Sequence, residues 1–203
     1  MKYIFIVNPN SGSAKHEITL DFLQANFHPS DEIIVKETQF QFHAKQLVAE
    51  AIEENADVIV ACGGDGTINE VANALVNTKI ALGIIPAGSG NGLASNLAIP
   101  KDINKAIEII KKNTVHTIDV GRVEDKYFFS NLGFGIDAEV IKTYEENQKR
   151  TITGYFDASI KTLLNYKSKL FRVYIDGAII EKSFYYLFCS NSNFFVCSFN
   201  DSY

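Results

Sequence analysis

Glycine, serine and asparagine residues are concentrated in three short segments that each follow an apolar run. The first loop covers residues 8–12 (N-P-N-S-G), the second loop residues 63–67 (G-G-D-G-T) and the third loop residues 86–92 (P-A-G-S-G-N-G). Glycine lets the backbone adopt positive φ and come close to a ligand, and this makes the amide N–H groups available to an anion. The composition of these loops therefore predicts a site for phosphate groups.

The second loop carries the strongest of these signals. It follows an apolar run and opens a helical pattern in which Thr67 and Glu70 fit a T-x-x-E capping box. The N–H groups and the dipole at a helix start attract anions, and Asp65 would lie at the rim of such a site. A tight turn without a ligand is the simpler explanation, but three glycines around an acid exceed what a turn needs. The loop matches neither the P-loop nor the G-x-G-x-x-G pattern.

The elements that must position these loops are short apolar strands alternating with amphipathic helices. The apolar runs cover residues 3–7, 32–36, 57–62 and 80–85. Continuous apolar strands between helices predict an α/β fold, a parallel sheet covered on both faces. In such a sheet the loops after the strands emerge at one edge, where ligands bind. Three glycine-, serine- or asparagine-rich loops at one edge favour a nucleotide.

The pattern changes near residue 115, where antiparallel strands replace the alternation. We predict strands over residues 115–123 and 127–136, and a hairpin whose turn is Asp176-Gly177, a strong hairpin signal. The expected organisation is an α/β nucleotide-binding domain over residues 1–114 and a β-rich second domain over residues 115–203.

The overall composition excludes several functional classes. The chain has 203 residues, of which 46% are hydrophobic and 21% charged, and a formal net charge of −5 without a basic patch, so we expect no nucleic-acid partner. The three cysteines form no C-x-x-C pair, which favours a reducing cytoplasm over a disulfide framework or zinc site. The apolar start is too short for a signal peptide, and no run approaches the ~20 residues of a membrane span.

The motifs N-P-x-S-G, G-G-D-G-T-I-N-E and P-A-G-S-G-N-G-L-A, in this order, resemble the superfamily of diacylglycerol kinases, sphingosine kinases and bacterial lipid kinases. Residues 130–138 (S-N-L-G-F-G-I-D-A) and Lys149-Arg150 extend the resemblance to about residue 193. It implies a nucleotide-binding domain of the type found in NAD kinases and phosphofructokinases, followed by an antiparallel β-sandwich. It also implies transfer of the γ-phosphate of ATP, with Mg²⁺, to a lipid hydroxyl.

The resemblance also implies roles for individual residues. Asp65 would be the base or proton-orienting acid that acts on the lipid hydroxyl. Asp137 and Glu139 are candidates for contact with a polar lipid head, although acids near a helix start explain them equally well. The nucleotide would be held by Asn8, Ser11, Gly12, Thr38, Gly63, Gly64, Gly66, Thr67, Gly88, Ser89, Gly90, Asn91, Lys149 and Arg150.

The acceptor is not named by the sequence. Diacylglycerol-kinase-like members usually carry Asp after G-[ST]-G-N, whereas this chain has Gly92, which is more similar to sphingoid-base kinases. Diacylglycerol and sphingoid base both remain open, with transient peripheral contact to a membrane and an unknown oligomeric state. Two other functions also remain: an NAD-kinase-like phosphotransferase, because G-G-D-G-T is shared with those enzymes, and a nucleotide-binding protein without catalysis.

The last residues depart from the pattern of the superfamily. After residues 189–193, relatives continue through a glycine-rich turn and a D-G-x-L-D-type motif, whereas this chain reads F-F-V-C-S-F-N-D-S-Y and stops. We expect a truncated product whose few strands cannot close a sandwich and whose apolar edge over residues 184–197 is unpaired. Weak or absent lipid kinase activity is the corresponding expectation.

Overall fold

The computed structural model describes residues 1–12, 18–136, 139–140, 162 and 166–191. The described residues form two compact units, one from Met1 to Ser130 together with Asn191, and one from Asn131 to Ser190. The domain boundary expected near residue 115 stays a prediction.

The first unit is built on a four-stranded parallel sheet, as its continuous apolar runs predict. The strand order is β2-β1-β3-β4, and each neighbouring pair is parallel. Because Val7 of β1 lies level with Glu37 of β2 and Cys62 of β3, the carboxyl ends of these strands share one edge. The strands are β1 (Lys2–Val7), β2 (Glu32–Glu37), β3 (Val58–Gly63) and β4 (Ala81–Pro86).

Helices cover both faces of this sheet, and alternate strand residues face opposite sides. Ile4 and Ile6 pack with residues of α2, α3 and α4, whereas Tyr3 and Phe5 pack with residues of α1 and α5. The predicted α/β class is confirmed. The helices are α1 (Leu20–Asn26), α2 (His43–Glu53), α3 (Asp65–Leu75), α4 (Gly92–Asn96) and α5 (Ile103–Lys112).

Antiparallel strands follow the parallel sheet, as expected. The pairs are β5 with β6, β7 with β10 and β8 with β9. Asp176 (φ 47°) and Gly177 (φ 84°) form the turn between β8 and β9, which confirms the predicted hairpin. The strands are β5 (Gly121–Val123), β6 (Lys126–Phe128), β7 (Asn131–Gly135), β8 (Lys169–Ile175), β9 (Ala178–Phe184) and β10 (Tyr186–Ser190).

Two local predictions are wrong. Helix α3 begins at Asp65 and its N-cap is Gly64, without a capping side chain, so Thr67 and Glu70 do not form a capping box. Residues 115–120 form no strand, and β5 starts only at Gly121. Of the segment 184–197, whose edge is expected to be unpaired, residues 186–190 form β10, which pairs with β7 in a two-stranded sheet, and residues 192–197 lie outside the described residues.

Two further properties of the described residues bear on function. Among them, no helix is long and apolar enough to cross a membrane. Burial within β3 raises the pKa of the Cys62 thiol, so this group stays protonated and is a poor nucleophile.

Candidate functional site

The three loops come together at the carboxyl edge of the parallel sheet. Asn8, the first residue after β1, donates its backbone N–H to the Cys62 carbonyl at 2.9 Å. Ala87, the first residue after β4, donates its N–H to the Gly63 carbonyl at 2.8 Å. The second loop therefore lies between the first and the third, and bonds to both.

Side chains of the first loop hold the second loop in place. The Asn8 Nδ2 donates to the Thr67 Oγ1 at 3.0 Å, and the Gly64 N–H donates to the Ser11 Oγ at 3.3 Å. Thr67 is buried, with 6% of its surface exposed. Its hydroxyl is thus engaged in joining two loops, which is a different role from the predicted helix cap.

Glycines allow the loop backbones to touch. Gly12 has φ 60° and abuts the Ala87 carbonyl of the third loop, where a Cβ would have no room. A Cβ on Gly88 would lie 2.6 Å from the Gly64 Cα, which is closer than real Cβ contacts allow. The third loop is therefore packed directly, backbone against backbone, on the other two.

The Asp65 carboxylate joins the second loop to the third. Its Oδ2 accepts the Asn91 N–H at 2.8 Å and its Oδ1 accepts the Gly92 N–H at 2.6 Å, although the residue is otherwise exposed. Asn91 is 1% exposed and has φ 57°, and its Oδ1 accepts the Gly88 N–H at 2.9 Å. The sequence indicated a chemical role for Asp65, but no sequence pattern indicated that its side chain also positions the third loop.

The start of α3 is open next to this carboxylate. Apart from its two chain neighbours and the backbone of its own helix, no heavy atom lies within 4 Å of the position that a Cβ on Gly66 would occupy. In the described part of the chain, the N–H groups of Asp65, Gly66 and Thr67 donate no hydrogen bond, as is usual in the first turn of a helix. Three free N–H groups and the positive end of the α3 dipole can therefore bind an anion here.

Other side chains border the three loops. Thr38 is buried at the end of β2, and its N–H donates to the Val7 carbonyl at 2.8 Å. The Lys101 Nζ donates to the Ser89 carbonyl at 3.2 Å, and the Asn96 Nδ2 donates to the Ser130 Oγ at 3.1 Å. A Cβ on Gly92 would lie 3.6 Å from both the Ser130 Oγ and the Asp65 Oδ1.

Sequence patterns did not single out Lys101, Asn96 or Ser130 as residues of the site. Ser130 belongs to the S-N-L-G-F-G stretch, so a motif was available there. Asn96 is the last residue of α4 and Lys101 follows that helix, and no local pattern indicates the contact that either side chain makes.

The remaining predicted residues lie outside the first unit or outside the described residues. Glu139 belongs to the second unit, where its Oε2 accepts from the Lys169 Nζ at 3.4 Å. Asp137, Lys149 and Arg150 lie outside the described residues.

The family of the Diacylglycerol kinase catalytic domain matches residues 2–123, a segment that contains all three loops. The chain belongs to this family. Its known relatives include a diacylglycerol kinase of Bacillus subtilis, which is 32% identical over 188 residues, 87% of this chain and 60% of the relative. A diacylglycerol kinase of Staphylococcus saprophyticus is 33% identical over 159 residues, 77% of this chain and 52% of the relative.

A solved structure of the diacylglycerol kinase family resembles the fold. A diacylglycerol kinase from Bacillus anthracis superimposes with a TM-score of 0.70 at 28% identity, over 95% of this chain and 65% of that chain. The chain spans between 35% and 60% of the length of the Bacillus subtilis and Staphylococcus saprophyticus relatives and of six others that are named diacylglycerol or lipid kinases.

Proposed function

We propose that this chain uses ATP to phosphorylate the hydroxyl group of a lipid. One observation carries the proposal: the three loops frame the open start of α3, and the Asp65 carboxylate stands at that opening. A phosphate group needs N–H donors and a positive dipole, and a phosphoryl transfer needs an acceptor held in line. The carboxyl edge of this sheet offers both the N–H donors for a phosphate group and a carboxylate that can orient the acceptor.

The phosphates of ATP would lie against the first turn of α3. The N–H groups of Gly66 and Thr67 are free there, and the missing side chain of Gly66 leaves room for phosphate oxygens. Asn8 and Ser11 hold the second loop in this shape by hydrogen bonds, and their contact with the nucleotide stays a prediction. Thr38, at the end of β2, belongs to the same edge.

Asp65 would accept the proton of the attacking hydroxyl. In this step the lipid oxygen forms a bond to the γ-phosphorus, the bond to the β-phosphate oxygen breaks, and ADP leaves. A carboxylate oxygen has two acceptor positions, so each Asp65 oxygen keeps one after accepting its loop N–H. The same hydrogen bonds fix the orientation of the carboxylate, which is the condition for a positioned base.

Mg²⁺ is expected with ATP, but the described residues do not form a cage for it. They contain no group of three or more His, Cys, Asp or Glu residues that could hold a metal ion. Mg²⁺ commonly binds through substrate phosphates with only one or two protein carboxylates. Its presence therefore remains an expectation from the family, and no step above depends on it.

The proposed acceptor is a diacylglycerol or a sphingoid base. Support comes from relatives that are named diacylglycerol kinases. Position 92 distinguishes the two kinds of kinase. Asp is usual there in diacylglycerol-kinase-like members, whereas Gly92 of this chain is more similar to sphingoid-base kinases. Contact with the lipid would be peripheral and transient, since the acceptor has to come from a membrane or micelle.

The direct test is transfer of label from γ-labelled ATP to a panel of acceptors. The purified chain is incubated with Mg²⁺ and diacylglycerol, sphingosine or NAD, and the products are separated by extraction into organic solvent. Label in one lipid supports the proposal and identifies the acceptor. Label in NAD would assign an NAD-kinase-like reaction instead, and ATP binding without transfer to any acceptor would indicate a non-catalytic nucleotide-binding protein.

A further inference from the structure

A hydroxyl group to which the sequence motifs assign no role lies beside the Asp65 carboxylate. The position that a Cβ on Gly92 would occupy lies 3.6 Å from the Asp65 Oδ1 and 3.6 Å from the Ser130 Oγ. The two oxygens are therefore no more than twice this distance apart, and the side chain that Gly92 lacks leaves space next to both. Asp65 is exposed and Ser130 is half-buried, so neither residue belongs to the closed core.

Three contacts fix the place of Ser130. The preceding residue, Phe129, is packed into the core of the first unit. The Ser130 carbonyl accepts the Asn191 N–H at 2.7 Å, and the Ser130 Oγ accepts a hydrogen bond from the Asn96 Nδ2 at 3.1 Å. The hydroxyl is therefore held in position before any ligand binds.

The bond from Asn96 leaves the proton of the Ser130 hydroxyl available. A hydroxyl group has one donor and two acceptor positions, and Asn96 occupies one of the acceptor positions. Among the described residues, the Ser130 O–H donates no hydrogen bond. The Asn96 Oδ1 is buried without a partner there, which lowers stability, so the one hydrogen bond of this side chain is the bond that orients Ser130.

An attacking alcohol can use two hydrogen-bonding partners at once. It donates its proton to a base, and of its two lone pairs one attacks phosphorus while the other can accept a hydrogen bond. An oxygen with two hydrogen bonds of about 2.7 Å joins groups that are up to about 5.4 Å apart. The limit set by the Gly92 distances admits this arrangement, with Asp65 as the acceptor and Ser130 as the donor.

We infer that Ser130 binds the hydroxyl group of the lipid acceptor and holds it against Asp65. The inference rests on the proposed function, because it needs a lipid hydroxyl at the Asp65 carboxylate. The Ser130 O–H donates to the acceptor oxygen, that oxygen gives its proton to Asp65, and its remaining lone pair forms the bond to the γ-phosphorus as ADP leaves. The Ser130 hydroxyl makes no hydrogen bond with the first or second loop, so ATP should bind equally well without it.

The test measures transfer from γ-labelled ATP by the whole chain, with the acceptor varied at saturating ATP and ATP varied at saturating acceptor. A short-chain diacylglycerol and sphingosine, each in detergent micelles, are assayed separately as acceptors. Ser130→Ala removes the hydroxyl and Ser130→Thr keeps it, while Ser95→Ala removes an exposed hydroxyl of α4 as the matched control. Ser130→Ala should lower kcat/KM for the acceptor about tenfold and leave the KM for ATP unchanged.

The two substrates separate acceptor binding from a purely structural role. The inference is supported when Ser130→Ala lowers only the acceptor kcat/KM, Ser130→Thr recovers most of it, and Ser95→Ala behaves as the unaltered chain. An unchanged acceptor kcat/KM in Ser130→Ala overturns the inference and leaves the proposed function intact. A parallel rise of the KM for ATP also overturns it, because Ser130 would then only shape the third loop. Absence of transfer by the unaltered chain to either lipid removes the proposed function and the inference together.

Discussion

In the proposed reaction, Asp65 combines a chemical and a structural task in one side chain. Its two oxygens accept two loop N–H groups, and each oxygen keeps one further acceptor position. A residue that shapes the loop and also handles the proton cannot be replaced without affecting both. Substitutions at this position therefore need measurements of stability as well as of turnover.

We expect Asp65→Asn to lower phosphoryl transfer by about 10²–10⁴ because the amide cannot accept a proton. An amide also presents an NH₂ group where one carboxylate oxygen accepted an N–H, so the third loop loses one charged hydrogen bond, about 1.5–3 kcal/mol of stability. The transfer rate and a urea denaturation curve measure the two effects. Asp102→Asn is the control, because Asn caps a helix as well as Asp and this residue is at the start of α5. Full turnover by Asp65→Asn would show that the carboxylate is not the base.

At the scale of the elements, helix α5 illustrates how local sequence determines a boundary. The Asp102 side chain accepts the Lys105 N–H at 2.9 Å, and Asn113 ends the helix with φ 47°. Ile103, Ala106, Ile107 and Ile110 form its buried stripe. This i, i+3, i+4, i+7 spacing is that of an amphipathic helix, and the cap and the left-handed end residue agree with it.

Asp102→Ala should lower the free energy of unfolding by about 0.5–2 kcal/mol, since it leaves a first-turn N–H of α5 without its cap. Chemical denaturation measures the change, and Lys105→Ala, an exposed position in the same helix, is the control. An unchanged midpoint would mean that water replaces this cap without cost. ATP affinity should stay the same, because Asp102 does not contact the loops.

Elements that are determined by the local sequence were predictable, and features that depend on contacts between distant segments were not. Strands β1 and β3 appear as continuous apolar runs because both of their faces are buried. The start of α3 was misplaced because the Thr67 hydroxyl accepts from Asn8 instead of capping its own helix. Likewise, the glycine loop around Asp65 predicts that this residue belongs to the site. Its bonds to Asn91 and Gly92 were not predictable, because they depend on how the third loop folds.

At the scale of the whole molecule, the hairpin of β8 and β9 exposes apolar side chains on either side of an ion pair. Leu170 and Ile179 are 67% and 62% exposed and lie on the same face as the exposed Tyr174 and the Arg172–Glu181 pair. Exposed apolar residues on strands promote association between chains. The hairpin is therefore a second surface that favours association, in addition to the segment 184–197 that the sequence indicates.

Replacing Leu170 and Ile179 together by Thr should reduce binding of an apolar dye and light scattering at high protein concentration. Thr keeps the strand preference of a β-branched residue, so the unfolding free energy should change by no more than about 0.5 kcal/mol for each exposed site. Lys182→Thr, an exposed position of β9, is the control. Unchanged dye binding and scattering would show that this face is not what makes the chain associate.

The most direct test of the phosphate site is the effect of Gly66→Ala on ATP affinity and on stability in the same protein. Gly66 lies inside α3 with open space where its Cβ would be, so alanine should stabilise the helix by about 0.5–1 kcal/mol. If the phosphates of ATP occupy that space, the added methyl group should weaken ATP binding by about tenfold or more while the protein becomes more stable. Asn69→Ala, an exposed position one turn further along α3, is the control for helix propensity away from the opening, and it also removes the Asn69 Oδ1 that accepts from the Asn73 Nδ2. A Gly66→Ala protein that is folded and binds ATP as tightly as the unaltered chain would contradict the placement of the nucleotide at the start of α3.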